Sequence, residues 1–187
     1  EARVHYLAES PDKSISELEM RCSITAKQNS KGKKQWFIGY KAHIATDDFG
    51  VPICFVVPGA CVHDSKVAVP LLKRANQKTE FFYILLDKGY ISPAVNDYAD
   101  MIERTVIIDR KGYKGVSPIP LEPAYAQRYK ARTTVERTNS ELKDGFLPDK
   151  IYKRGSSARY EIQLAILLTT VKKVSNMLLL KKQSAAA

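Results

Sequence analysis

Phe81-Phe82-Tyr83-Ile84-Leu85-Leu86 is a run of consecutive apolar residues that stops abruptly at Asp87-Lys88-Gly89-Tyr90. Successive side chains of a strand point to opposite faces of its sheet, so a run apolar on both faces needs cover on both. It is therefore expected as a central, doubly covered strand. That requirement places the chain among α/β folds, with helices layered over a mixed sheet. Asp87 then stands at the carboxyl end of the strand, where open α/β sheets place their ligands.

The flanking sequence supplies the other elements. Trp36–Thr46 is rich in aromatic and β-branched residues and reads as a strand. Asp47-Asp48-Phe49-Gly50 is turn chemistry, and Val51–Val57 reads as a second strand, so the two form an antiparallel hairpin. His63-Asp64-Ser65 opens a helix with Asp64 as its N-cap, ending near Asn76. A helix over 92–103, a strand over Thr105–Asp109 and a loop through Pro-rich 118–123 follow. Residues 124–144 form a long helix stopped by Gly145 and Pro148, and a last helix spans 157–182. The expected organisation is an irregular basic and polar segment over 1–34, one domain over 35–182, and a frayed tail over 183–187.

Composition excludes several classes. Cys22, Cys54 and Cys61 cannot all pair and form no CxxC, so neither a disulfide scaffold nor a zinc ribbon is indicated. Cys54 and Cys61 read as buried free thiols, in a reducing, intracellular context. The apolar stretch Ile162–Leu180 is interrupted by Lys172 and Lys173, which suits a buried helix better than a membrane span. Charge is one-sided. Residues 1–103 carry 13 basic and 13 acidic side chains, whereas 104–187 carry 17 basic and 7 acidic. The net +10 thus lies wholly in the second part, as for a polyanion-binding surface or a basic protein kept soluble by its charge.

Two acids are candidates for chemistry. Asp87 is either a ligand-facing carboxylate at a strand end or a turn residue satisfying backbone N–H groups. Glu136 lies on the 124–144 helix, where Tyr129, Arg132, Glu136 and Lys143 fall within an arc of roughly 60° at about 100° per residue. That face carries two cations, a phenol and a carboxylate, and it reads alternatively as a solvated surface with Arg132–Glu136 pairing. Asp47 and Asp48 read as turn formers. His43 and His63 lack metal-ligand spacing to each other and to any cysteine.

The pattern Tyr129-x2-Arg132-x3-Glu136-x6-Lys143 resembles the Tyr-Arg-Glu-Lys signature of DDE-class bacterial insertion-sequence transposases at every spacing. Gly39-Tyr40-Lys41-Ala42-His43, Asp48-x-Gly50-x-Pro52, His63-Asp64-Ser65 and Asp87-Lys88-Gly89-Tyr90 resemble further motifs of that family, in the right order. The resemblance covers roughly residues 34–160 and implies an RNase H-like fold. It implies Asp87 and Glu136 as the second and third catalytic acids, ligands of Mg2+ (or Mn2+). It implies contact with double-stranded DNA at transposon terminal inverted repeats through Tyr129, Arg132 and Lys143. The basic loop residues Lys111 and Lys114 are expected to join them. Cleavage and strand transfer in the bacterial cytoplasm, at the nucleoid and by a homodimer on DNA, complete the expectation. Two cations about 4 Å apart stabilise both oxygens of a phosphodiester displacement, and hard cations take carboxylate oxygens.

One departure stands out. The family's first aspartate belongs to a strand upstream of Trp36, and residues 1–34 contain no Asp at the end of an apolar run. Asp12 lies in Ser-Pro-Asp-Lys, a turn, and Asp47 and Asp64 have no spacing support as substitutes. No Met opens the chain, so the expectation is a fragment lacking the first strand and its acid, with impaired catalysis. The alternatives are a catalytically inactive DNA-binding remnant and a different RNase H-like nuclease such as a resolvase.

Overall fold

A computed structural model describes residues 2–28, 32–109, 120–148, 150–153 and 155–185. In chain order the elements are α1 (Ala2–Ala8), α2 (Pro11–Ser16), β1 (Ser23–Gln28), β2 (Lys34–Gly39), β3 (His43–Thr46), β4 (Pro52–Val56) and α3 (Asp64–Asn76). Then follow β5 (Tyr83–Leu86), α4 (Pro93–Met101), β6 (Thr105–Ile108), α5 (Pro123–Tyr129), α6 (Thr133–Phe146) and α7 (Ser156–Ala185). The chain divides into two compact units, Glu1–Glu19 with Val62–Thr133, and Met20–Cys61 with Thr134–Ala187. The class is α/β as expected. The strands, however, form three two-stranded sheets among the described residues, in place of one mixed sheet.

In the first unit, β5 and β6 pair in parallel, Tyr83 opposite Thr105 through Leu86 opposite Ile108, with α4 as the crossover. Pro93 opens α4, and the Val95 N–H donates to the Ser92 hydroxyl, satisfying one of the orphan donors of the first turn. Ala68, Val69 and Leu72 of α3 meet Val95, Tyr98 and Ala99 of α4 at helical spacing, and Ile84 of β5 packs among them. The expectation of a doubly covered central strand does not hold. Among the described residues β5 has one neighbour, β6, and Phe82 and Tyr83 are 76% and 42% exposed. Six apolar residues license burial on two faces only when partners exist on both. Instead, guanidinium groups lie over the exposed rings, Arg104 on Phe82 at 5.8 Å and Arg128 on Tyr83 at 5.4 Å.

In the second unit, β1 pairs antiparallel with β2, and β3 antiparallel with β4. The expected Trp36–Thr46 strand is thus two strands, interrupted at Tyr40–Ala42, where Tyr40 bridges to Gly59. The turn after β3 is built as its residues dictate. Asp47 Oδ1 accepts from the Phe49 and Val51 N–H groups at 2.9 and 2.8 Å, and Gly50 takes φ +79°. Val57, Leu142, Ile162, Ala165 and Ile166 form this unit's core.

Four further expectations change. Residues 1–34, read as irregular, contain two helices and a strand. Lys73, buried on α3, fixes the helical part by donating to the Tyr6 carbonyl and the Ser14 hydroxyl. The N-cap of α3 is His63, whose Nδ1 accepts from the Ser65 N–H at 3.3 Å, so Asp64 is the first helical residue. Cys54 is buried, but Cys61 is exposed. Helix α7 is not a buried helix. Ala158, Ile162, Ala165, Ile166 and Thr169 make one buried face, while most of the remainder is open. By length and composition alone, 156–184 could cross a membrane, although Lys172 and Lys173 sit in its middle.

Candidate active site

Asp87 follows the last residue of β5 and caps the 3-10 turn Lys88–Tyr90. Its Oδ1 accepts the Lys88 N–H at 2.7 Å, and its carbonyl accepts the Tyr90 N–H at 3.0 Å. The backbone therefore satisfies one carboxylate oxygen, and the exposed group stays at the strand end. Asp64 lies on the other side of this turn. A Cβ on Gly89 would come within 3.0 Å of Asp64 Oδ2, so the glycine permits the close approach of α3 to the turn. The Tyr90 phenol is pushed well above its ordinary value of 10.0, first by burial and then by the Asp64 and Asp87 carboxylates.

Tyr129 reaches the same strand end. Its hydroxyl donates to the Leu86 carbonyl at 3.0 Å, across 43 positions of sequence. Burial raises this phenol above 10.0, with the Arg132 charge pulling the other way. The Arg132 guanidinium lies 5.5 Å from the centre of the Tyr129 ring. The first unit thus brings together Asp87, Tyr129 and Arg132. The phenol that sequence reasoning placed on a DNA-facing surface is engaged with the backbone residue preceding Asp87.

Glu136 and Lys143 belong to the second unit, on α6. The single 124–144 helix expected from the sequence is interrupted. Residues 130–132 form a 3-10 turn between α5 and α6. Such a turn advances about 120° per residue, so a helical-wheel angle does not carry across it from Tyr129 to Glu136. Within α6, Glu136 and Lys143 lie two turns apart on one exposed face, while Thr138 and Leu142 are buried. Lys111 and Lys114 lie outside the described residues.

The residue that sequence reasoning missed is Thr138. It is fully buried, and its hydroxyl donates to the Gly50 carbonyl at 2.8 Å. A Cβ at Gly50 would stand 2.7 Å from Thr138 Oγ1 and 2.9 Å from Thr134 Cγ2. The turn motif Asp48-x-Gly50-x-Pro52 therefore anchors the helix that carries Glu136. The signal was present as a glycine in a turn, but its partner lies 88 positions away. Lys173 of α7 adds an ion pair to Glu141 at 2.9 Å.

A hard divalent cation needs oxygen donors and keeps several waters of its own. The exposed Asp87 carboxylate, with one oxygen already held by the backbone, fits one ligand of such an ion. Among the described residues no group of three or more His, Cys, Asp or Glu side chains gathers to hold a metal.

No curated protein and no solved structure matches the chain. A family model described as a transposase DDE domain matches residues 16–171. That span holds Asp87, its Tyr129 partner and the Glu136 helix, and it covers most of the sequence: this chain belongs to the transposase DDE domain family.

Proposed function

We propose that the chain is the catalytic domain of an insertion-sequence transposase, cutting and joining DNA at terminal inverted repeats, with Asp87 and Glu136 as its acids. Membership of the family implies a DNA substrate and transposase chemistry. The observation that carries the assignment of Asp87 is the double fixing of its strand end. The backbone of the 88–90 turn holds the carboxylate, and Tyr129 holds the preceding carbonyl. Glu136 takes its role from its place in the signature and from the Thr138–Gly50 anchor one half-turn along α6.

Asp87 and Glu136 would hold Mg2+ or Mn2+, which supplies charge stabilisation to the attacking and leaving oxygens of a phosphodiester. Arg132 and Lys143 orient phosphates, the guanidinium through its fork and the ammonium as a point charge. An RNase H-like sheet is the fold we infer. The parallel β5–α4–β6 unit and the antiparallel β3–β4 hairpin are compatible with it. A homodimer on DNA belongs to the same reading.

The test is cleavage and strand transfer on terminal-repeat DNA with Mg2+ or Mn2+ added, beside a DNA-binding measurement on the same protein. Metal-dependent products support the transposase reading. Binding without products, at any metal concentration, supports the DNA-binding remnant.

A further inference from the structure

We propose that the β1–β2 hairpin is a contact surface for unpaired nucleotides of a DNA strand, with Trp36 as the ring on which a base stacks. The proposal rests on the reading of DNA as the substrate, and it needs no role for Asp87 or Glu136. Ile24 pairs with Ile38 and Ala26 with Trp36, so the pleat sets these four residues on one face of the hairpin. Trp36 is 70% exposed, Ile24 57% and Ile38 76%, which makes that face an open apolar strip. The hairpin is held at both ends. At its base the Cys61 N–H donates to the Ser23 hydroxyl at 2.9 Å, and the Ala60 N–H to the Gly39 carbonyl at 3.1 Å. At its far end the Gln28 side-chain amide donates to the Gly32 carbonyl at 2.9 Å.

Charge names the partner. From Met20 to Thr46 the sequence carries six basic residues and no Asp or Glu, although residues 1–103 as a whole balance. Lys33 and Lys34 are exposed, and Lys34 shares the Trp36 face, two residues and about 7 Å along the strand. An indole beside an ammonium suits a nucleobase and its neighbouring phosphate. The ring is a stacking platform, and the cation neutralises the backbone.

A duplex keeps its base faces stacked inside, so a ring on a flat strip reaches only bases that are unpaired or turned out. A second copy of the chain is disfavoured, because pairing two such strips sets like charges together. A bilayer is disfavoured as well. Phe37, on the opposite face, is 41% exposed, so apolar groups stand open on both sides of the ribbon, whereas a planar membrane meets one.

Trp36 is the chain's single tryptophan, so its fluorescence reports on this strip alone. The test titrates the protein, without metal, with a thymidylate strand of about 12 nucleotides and with a blunt duplex of the same length. The expected result is quenching by the strand and none by the duplex. By anisotropy of labelled DNA, Trp36→Ala should weaken the single strand about tenfold and leave duplex affinity unchanged, and Trp36→Phe should recover most of the loss. Lys34→Ala should lower the single-strand slope of log affinity against log salt by about 0.7, a readout that stands should Trp36→Ala fail to fold. Equal quenching by the duplex, or a Trp36→Ala variant with parental single-strand affinity, overturns the proposal. Quenching by anionic vesicles, or by raised protein concentration alone, overturns it in favour of a membrane or a second copy. Duplex binding with an indole that neither DNA quenches overturns the hairpin assignment alone. Failure of both DNA forms to bind overturns the reading of DNA as substrate with it.

Discussion

The Tyr129 hydroxyl donates to the Leu86 carbonyl, the last backbone acceptor before Asp87. This contact ties the signature phenol to the strand end that carries the proposed second acid. Tyr129→Phe removes the donor of this hydrogen bond, a loss of about 1 kcal/mol. The expected outcome is a lower thermal midpoint and slower strand transfer, with DNA affinity unchanged. A variant that loses DNA affinity and keeps its turnover assigns the phenol to DNA contact instead.

The turn at Gly50 positions the Glu136 helix through Thr138. Gly50→Ala must adopt φ +79° and place a methyl 2.7 Å from Thr138 Oγ1, so it should cost more than about 1 kcal/mol. Thr138→Val keeps the volume and loses the 2.8 Å hydrogen bond, for about 1–2 kcal/mol. Denaturant midpoints measure both. Equal stability in the two variants and the parent would show that the turn does not hold the helix.

Alkaline pH should unfold the protein. Tyr6, Tyr90, Tyr98 and Tyr129 are all raised above 10.0, chiefly by burial, and Tyr90 is the most displaced. Below pH about 10 the folded and unfolded chains both keep these protons, and stability is full. As pH rises past 10.0 the unfolded chain releases its protons first, so stability falls until the folded phenols ionise as well. Tyr90→Phe should shift the alkaline unfolding midpoint upward. An unmoved midpoint contradicts the burial of Tyr90.

Arg132 and Lys143 are expected to neutralise phosphates. Changing either to Ala should weaken DNA binding and reduce the slope of log affinity against log salt by about 0.9 per phosphate left unneutralised. Titrations at several salt concentrations read this directly, and an unchanged slope removes that residue from the DNA surface.

Local chemistry was legible in the sequence, and partnership was not. The Asp47–Gly50 turn, the β3–β4 hairpin and helices α3 and α4 rest on residues that act over a few positions, and they stand close to where the pattern placed them. The β5 run is a strand as its apolar content dictates, but among the described residues it pairs on one side alone, because apolar content does not say how many neighbours a strand has. Hydropathy alone likewise does not show that α7 leaves Leu164, Leu167 and Leu178 exposed. In the site, the spacing of Tyr129, Arg132, Glu136 and Lys143 points to the family, while the single helix expected to carry all four is interrupted by the 130–132 turn. Thr138 was hidden because its meaning lies in a glycine 88 residues away.

The assignment of Asp87 and Glu136 is tested most directly by metal-dependent strand transfer with Asp87→Asn and Glu136→Gln in the complete transposase, alongside DNA affinity. The expected result is loss of strand transfer in each variant with DNA binding largely intact. Cleavage retained by either variant contradicts the account.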